Sequence, residues 1–236
     1  MQLLLVTHIL AGGIAVLGAA LAILSDKGKR LHVLSGRTFF WGMAIIFLTA
    51  IPMSIINSNV FLFLVAIFSF YLAYAGMRFA RNRQGMASLL DWIAIGLVVS
   101  SGLIMWFLAI FHFMNNNSQY ITLTIFGFIA ISLGYGDFRG YKNKSSIGKQ
   151  RIARHLTNML AGTIAVITAV LVTNVDIEPA YIFWILPTIV ITPLIIRWRI
   201  KIVSGEEVGT KFWVLSEYKM LTQNFVLRPN LMILIR

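Results

Sequence analysis

Apolar residues fill this chain in seven long runs, over about residues 3–24, 38–56, 60–80, 90–113, 120–136, 155–173 and 181–198. Each comes close to the ~20 residues needed to cross a hydrocarbon core of about 30 Å. In lipid, backbone groups must be satisfied within the spanning segment, so each run predicts a helix. The ~10-residue alternation of a membrane β-barrel strand is absent.

The polar gaps between the runs alternate in kind. The first, third and fifth gaps hold 4, 3 and 6 Lys and Arg residues, and the stretch from Arg197 onward holds 7. The gaps around Asn57-Ser58-Asn59, Asn115-Asn116-Asn117 and Asp176 to Pro179 hold none. Cationic residues beside membrane spans stay on the cytoplasmic side. The pattern predicts an all-α, polytopic transmembrane helix bundle of seven spans, N-terminus outside and C-terminus cytoplasmic. Residues 1–203 form the bundle and 204–236 a cytoplasmic tail. Within the tail, the apolar and aromatic residues between Phe212 and Leu221 predict a helix lying in the membrane interface. The first run has no basic residue before it and no small-residue cleavage site after it, which predicts a retained span and not a signal peptide.

Composition sharpens this picture. The chain has 236 residues, 58% of them hydrophobic and only 12% charged, about half the charge of a soluble domain. The net charge of +12 belongs to short flanks of spans and forms no separate basic domain. The expected partners are therefore the lipid bilayer and its anionic headgroups, not nucleic acid. Lys29, Arg30 and Arg37 make a candidate headgroup site. The absence of cysteine excludes thiolate metal sites, thiol catalysis and covalent c-type haem attachment. No Lys lies in the seventh run, so a retinal Schiff base is excluded there. No carboxylate falls in mid-span, where a proton-coupled transporter would need one.

Histidine carries the candidate chemistry. Only four are present, all at span ends: His8 and His112 toward the outer side, His32 and His155 toward the inner side. The layout resembles a two-haem electron-transfer bundle, with each b-type haem held between histidines of different helices. His8 is followed on one helix face by Gly12, Ala15, Ala19 and Ala22, a stripe that serves close helix packing or makes room for a flat macrocycle. Met159 shares a helix face with His155, so a His/Met metal pair is geometrically open. Pro187 and Pro193 predict a bend or a cavity wall in the seventh span. Residues 10–16 and 160–166 are similar, which two helices using the same small-residue packing explain.

The pattern His8…Gly12…Gly18, Lys27-Gly28…His32…Gly36-Arg37, Arg154-His155-Leu156…Met159, Thr168-Ala169 and Trp184-Ile185-Leu186-Pro187-Thr188 resembles a family of predicted bacterial multi-span membrane proteins known as a domain of unknown function. The resemblance covers about residues 1–198. It implies residence in the bacterial cytoplasmic (inner) membrane and a pattern that includes His8, His32 and His155 but not clearly His112. It implies no activity.

Together these features point to membrane redox work through histidine-ligated haem b or another metal. His8 and His155 are the expected metal ligands near opposite faces, His32 is a partner on the inner side, and Met159 and His112 are further candidates. A redox partner or quinone would follow from that role. The alternative is a non-redox lipid, quinone or small-molecule carrier or sensor.

Overall fold

The structure, a computed structural model, describes residues 1–175, 178–179 and 181–205. The tail helix expected between Phe212 and Leu221 lies outside the described residues. Among the described residues all regular structure is helical: α1 (Gln2–Leu24), α2 (Arg30–Ile56), α3 (Val60–Arg81), α4 (Leu89–Met114), α5 (Gln119–Lys142), α6 (Gly148–Asn174) and α7 (Tyr181–Ser204). All seven are long and apolar enough to cross a bilayer. The chain is a multi-pass membrane protein.

Four helix ends differ from the apolar runs. α2 begins at Arg30 and not at residue 38, α5 continues to Lys142, α6 begins at Gly148 and not at residue 155, and α7 continues to Ser204. Apolarity marks the hydrocarbon depth, whereas the helix persists into the headgroup layer, where long basic side chains extend their heads to water. The loop expected over residues 137–154 thus shrinks to 143–147, and both Asp137 and Arg154 become helical.

Successive helices run antiparallel. His8, near the start of α1, meets Thr49 near the end of α2, and His155, near the start of α6, meets Gly76 near the end of α3. One end of the bundle therefore gathers the basic connections. α3 is central, packed on α2, α4 and α6, while α1 packs on α2, α5 on α4 and α7 on α6. Leu72, Phe79, Val98 and Ala130 join α3, α4 and α5 in one core cluster. Phe39, Met43, Ala15, Ala73 and Val166 join α1, α2, α3 and α6 in another. Leu3, Leu17, Phe107 and Ile189 face outward, as expected where lipid, as apolar as leucine, is the solvent.

The small stripe on α1 serves helix packing. A β-carbon at Gly18 would lie 2.9 Å from the Phe39 nitrogen, and one at Gly42 would lie 3.0 Å from the Ala15 β-carbon. Gly12, by contrast, has open space around it. α1 and α2 thus approach backbone to backbone through Ala15, Gly18 and Gly42. α7 stays helical through Pro187 and Pro193, and beside Pro193 the surface has an open hollow of about 500 Å³.

Candidate functional site

Two of the four histidines meet. His32 on α2 and His155 on α6 lie at the basic end with ring centroids 6.3 Å apart and planes at 86°. Each ring is held by a third and a fourth helix. His32 Nδ1 donates to the Ala22 carbonyl at the end of α1 (3.0 Å), and His155 Nδ1 donates to the Gly76 carbonyl of α3 (2.8 Å). A carbonyl oxygen only accepts, so Nδ1 must carry the proton in both rings. In the neutral tautomer each Nε2 then keeps its lone pair. An imidazole anchored through N–H to a backbone carbonyl, with its other nitrogen free, is the usual arrangement of a metal-ligating histidine.

The local sequence explains why these rings are where they are. In the loop before α2, Gly28 adopts φ +79°, in the left-handed region that glycine enters without steric cost. The chain turns there, and the Lys27 ammonium donates back to the carbonyls of Ala22 (3.0 Å), Ile23 (2.6 Å) and Ser25 (3.3 Å). A cation on the last carbonyls of a helix satisfies orphan acceptors and meets the negative end of its dipole. Partial burial there pushes the Lys27 pKa below the ordinary lysine value, with neighbouring Asp26 opposing the shift. Lys27 and His32 share the Ala22 carbonyl, so the Lys-Gly…His spacing closes the end of α1.

On α6, Arg151, His155 and Met159 form a stripe of four-residue steps along α3. Arg151 Nη1 donates to the carbonyls of Phe79 (2.7 Å) and Ala80 (2.5 Å) near the α3 terminus. His155 takes Gly76 one turn deeper. Met159 fills the notch at Gly76, where a β-carbon would lie 2.8 Å from its sulfur, and its methyl group reaches toward Gly36. Gly36 is one turn inward from His32, so Met159 closes the interior side of the histidine pair.

Beside the pair stands a buried polar network. Asp137 of α5, 4% exposed, accepts from Tyr71 Oη of α3 (2.8 Å) and Arg154 Nη1 of α6 (2.6 Å). Asn158 donates to the Arg154 carbonyl (3.1 Å), while its own Oδ1 is buried with no partner. A second buried carboxylate, Asp91, pairs with Arg78 through Nε and Nη2 at 2.7 and 2.6 Å, accepts from Tyr74 Oη at 3.1 Å, and closes a capping box with Ser88. Both acids lie at the basic end, as the sequence implies. Their burial and their arginine partners are not legible in it. The signal that was available is small residues beside charge: Gly134 and Gly140 flank Asp137 three residues away on either side.

The remaining candidates stay apart. His8 is half-buried at the opposite end, where its Nδ1 meets Thr49 Oγ1 at 2.9 Å. The Thr49 hydroxyl itself donates to the Ile45 and Ile46 carbonyls, so it accepts from His8. His112 lies on α4, its ring edge-on to Phe111 with centroids 5.9 Å apart. α1 packs on α2 and α6, and α4 on α3 and α5, so the fold does not bring these two histidines together. Lys29 bonds Asp26 at 2.8 Å on the surface, which raises its pKa, and Arg30 starts α2. Among the described residues, no three His, Asp or Glu side chains converge as a metal site. The donors brought together there are the two imidazoles, while the Met159 sulfur packs against Gly76. Comparison with protein-family models, with curated proteins and with solved structures gives no match.

Proposed function

We propose that this protein is a membrane redox protein whose metal centre is held by His32 and His155. The observation that carries this reading is the meeting of two rings from distant parts of the chain, each anchored through Nδ1, with both Nε2 atoms left for a ligand. Imidazole nitrogens are ligands for haem iron and for first-row transition metals. His32 and His155, 6.3 Å apart between centroids, would hold such a metal, or the iron of haem b, through their Nε2 atoms. Such a metal supplies one-electron chemistry when bound.

The residues of the chain would divide the remaining work. The Ala22 and Gly76 carbonyls fix the tautomer and aim of the two rings. Met159 keeps the interior side dry. The Arg154–Asp137 pair ties α6 to α5 beside His155 and so holds the ligand-bearing turn. His8 and His112 play no part in this centre, and one site replaces the two of a paired-haem bundle.

The basic connections, by the rule that retains cations on the cytoplasmic side, support an inward-facing centre and an external N-terminus. The resemblance to a bacterial family supports residence in the cytoplasmic membrane, with a quinone or redox protein as partner. The test is the reduced-minus-oxidised absorption spectrum of the purified full chain from metal- and haem-replete cells, with metal analysis. A Soret shift on dithionite reduction identifies haem. A colourless sample with a stoichiometric redox metal identifies a bare centre. A colourless, metal-free sample would overturn the reading and leave the non-redox carrier.

A further inference from the structure

A second site lies next to the histidine pair, between α5 and α6. A pocket of about 250 Å³ opens at the basic end, lined by Gly136, Arg139, Gly140, Asn143, Ser145 and Arg154. We propose that it binds a phosphate group, carried by a lipid headgroup or by the free ion.

Three observations converge on it. First, two arginines of unequal engagement line the pocket. Arg154 spends Nη1 on Asp137, and Arg139, exposed at the rim, has no carboxylate partner among the described residues. Guanidinium groups present planar forks of donors that match phosphate oxygens. Second, the floor is shaped by the absence of a side chain. A β-carbon at Gly140 would fall 2.5 Å from the Arg154 guanidinium carbon, from its Nη2 and from Ser146 Oγ. Any larger residue at position 140 would have to displace the Arg154 guanidinium from its place against α5. Third, Asn143 and Ser145 add uncharged polar residues to the same lining.

The surrounding chain holds this arrangement in place. The loop after α5 folds back on the helix end: the nitrogens of Asn143 and Ser145 donate to the carbonyls of Arg139 (2.9 Å) and Gly140 (3.0 Å). Lys144, at φ +51°, makes the turn. Asn143 and Ser145 thereby present polar side chains at the rim. Arg139 also sits over the Tyr135 ring at 5.9 Å, an aromatic at the depth of headgroups. A volume of this size admits a phosphate with part of its headgroup but no acyl chain, so a lipid would enter head first. The pocket is separate from the basic loop before α2, where Lys29 is already paired.

The test uses the full chain in detergent, titrated with dioleoyl phosphatidylglycerol or dioleoyl phosphatidylcholine and followed by native mass spectrometry. A parallel series contains millimolar inorganic phosphate. Arg139→Gln removes the free guanidinium. Arg81→Gln, an exposed residue ending α3, removes the same charge elsewhere at that end. Loss of a charge-assisted hydrogen bond predicts at least about tenfold weaker phosphatidylglycerol binding for Arg139→Gln. A diffuse cationic surface predicts about fivefold or less for either variant. Competition by inorganic phosphate assigns the free ion as a ligand. Undiminished phosphatidylglycerol binding, still sensitive to Arg139→Gln, assigns the lipid. Equal losses in the two variants, or binding of both lipids that neither Arg139→Gln nor inorganic phosphate changes, would overturn the proposal.

Discussion

The residues that hold this bundle together at its basic end are charges that a count of span flanks treats as orientation signals. Asp137 and Arg154 form a pair with side chains 5% and 20% exposed. Removing one partner of a buried pair leaves the other uncompensated, at a cost of about 3–5 kcal/mol. Asp137→Ala should therefore lower the thermal stability of the detergent-solubilised protein sharply. Pairing it with Arg154→Met should restore a large part of the loss. An unchanged melting temperature in the single variant would show that the two groups do not meet. The histidines are legible as residue types, because four histidines at span ends are conspicuous in a chain this apolar. Which of them pair is not legible: His32 and His155 are separated by more than a hundred positions, and only the packing of both α2 and α6 on α3 brings them together.

At the scale of elements, the seven helices can be read directly, because lipid forces each apolar run to satisfy its own backbone. Their ends cannot, because arginine and lysine stems extend a helix past the apolar run. The small residues of α1 are legible as a stripe, but not which of them touches a neighbour. Gly18→Ala should cost roughly 1–3 kcal/mol, since the added methyl meets the α2 backbone and overpacks it. Gly12→Ala should be neutral or gain about 0.5–1 kcal/mol, because open space surrounds it and alanine is the better helix former. Equal effects in thermal unfolding would refute the α1–α2 contact. α6 presents a sharper case, because it docks on α3 through Gly76. Gly76→Ala would drive a methyl into Met159 and displace the carbonyl that aims His155. It is expected to weaken metal retention on chelator challenge by about tenfold or more, the usual effect of losing a partner behind a ligand, although residue 76 supplies no ligand itself.

Over the whole molecule, the antiparallel arrangement puts every basic connection at one end, with the histidine pair, both buried ion pairs and the phosphate pocket beside it. The opposite end has short asparagine-rich turns, His8 and His112. The chain lacks cysteine, so single-cysteine variants report topology without background. Lys144→Cys should react with an impermeant maleimide only from the cytoplasmic side, and Asn116→Cys only from outside; labelling of both from the same side would overturn the threading. The central claim is that His32 and His155 share one metal, and the decisive measurement is metal and haem content per chain in the wild type beside His32→Ala, His155→Ala and His112→Ala, each verified as folded by circular dichroism. The expected result is close to one equivalent in the wild type and in His112→Ala, and near-complete loss in both of the others. Full retention in either His32→Ala or His155→Ala, or loss in His112→Ala alone, would contradict it.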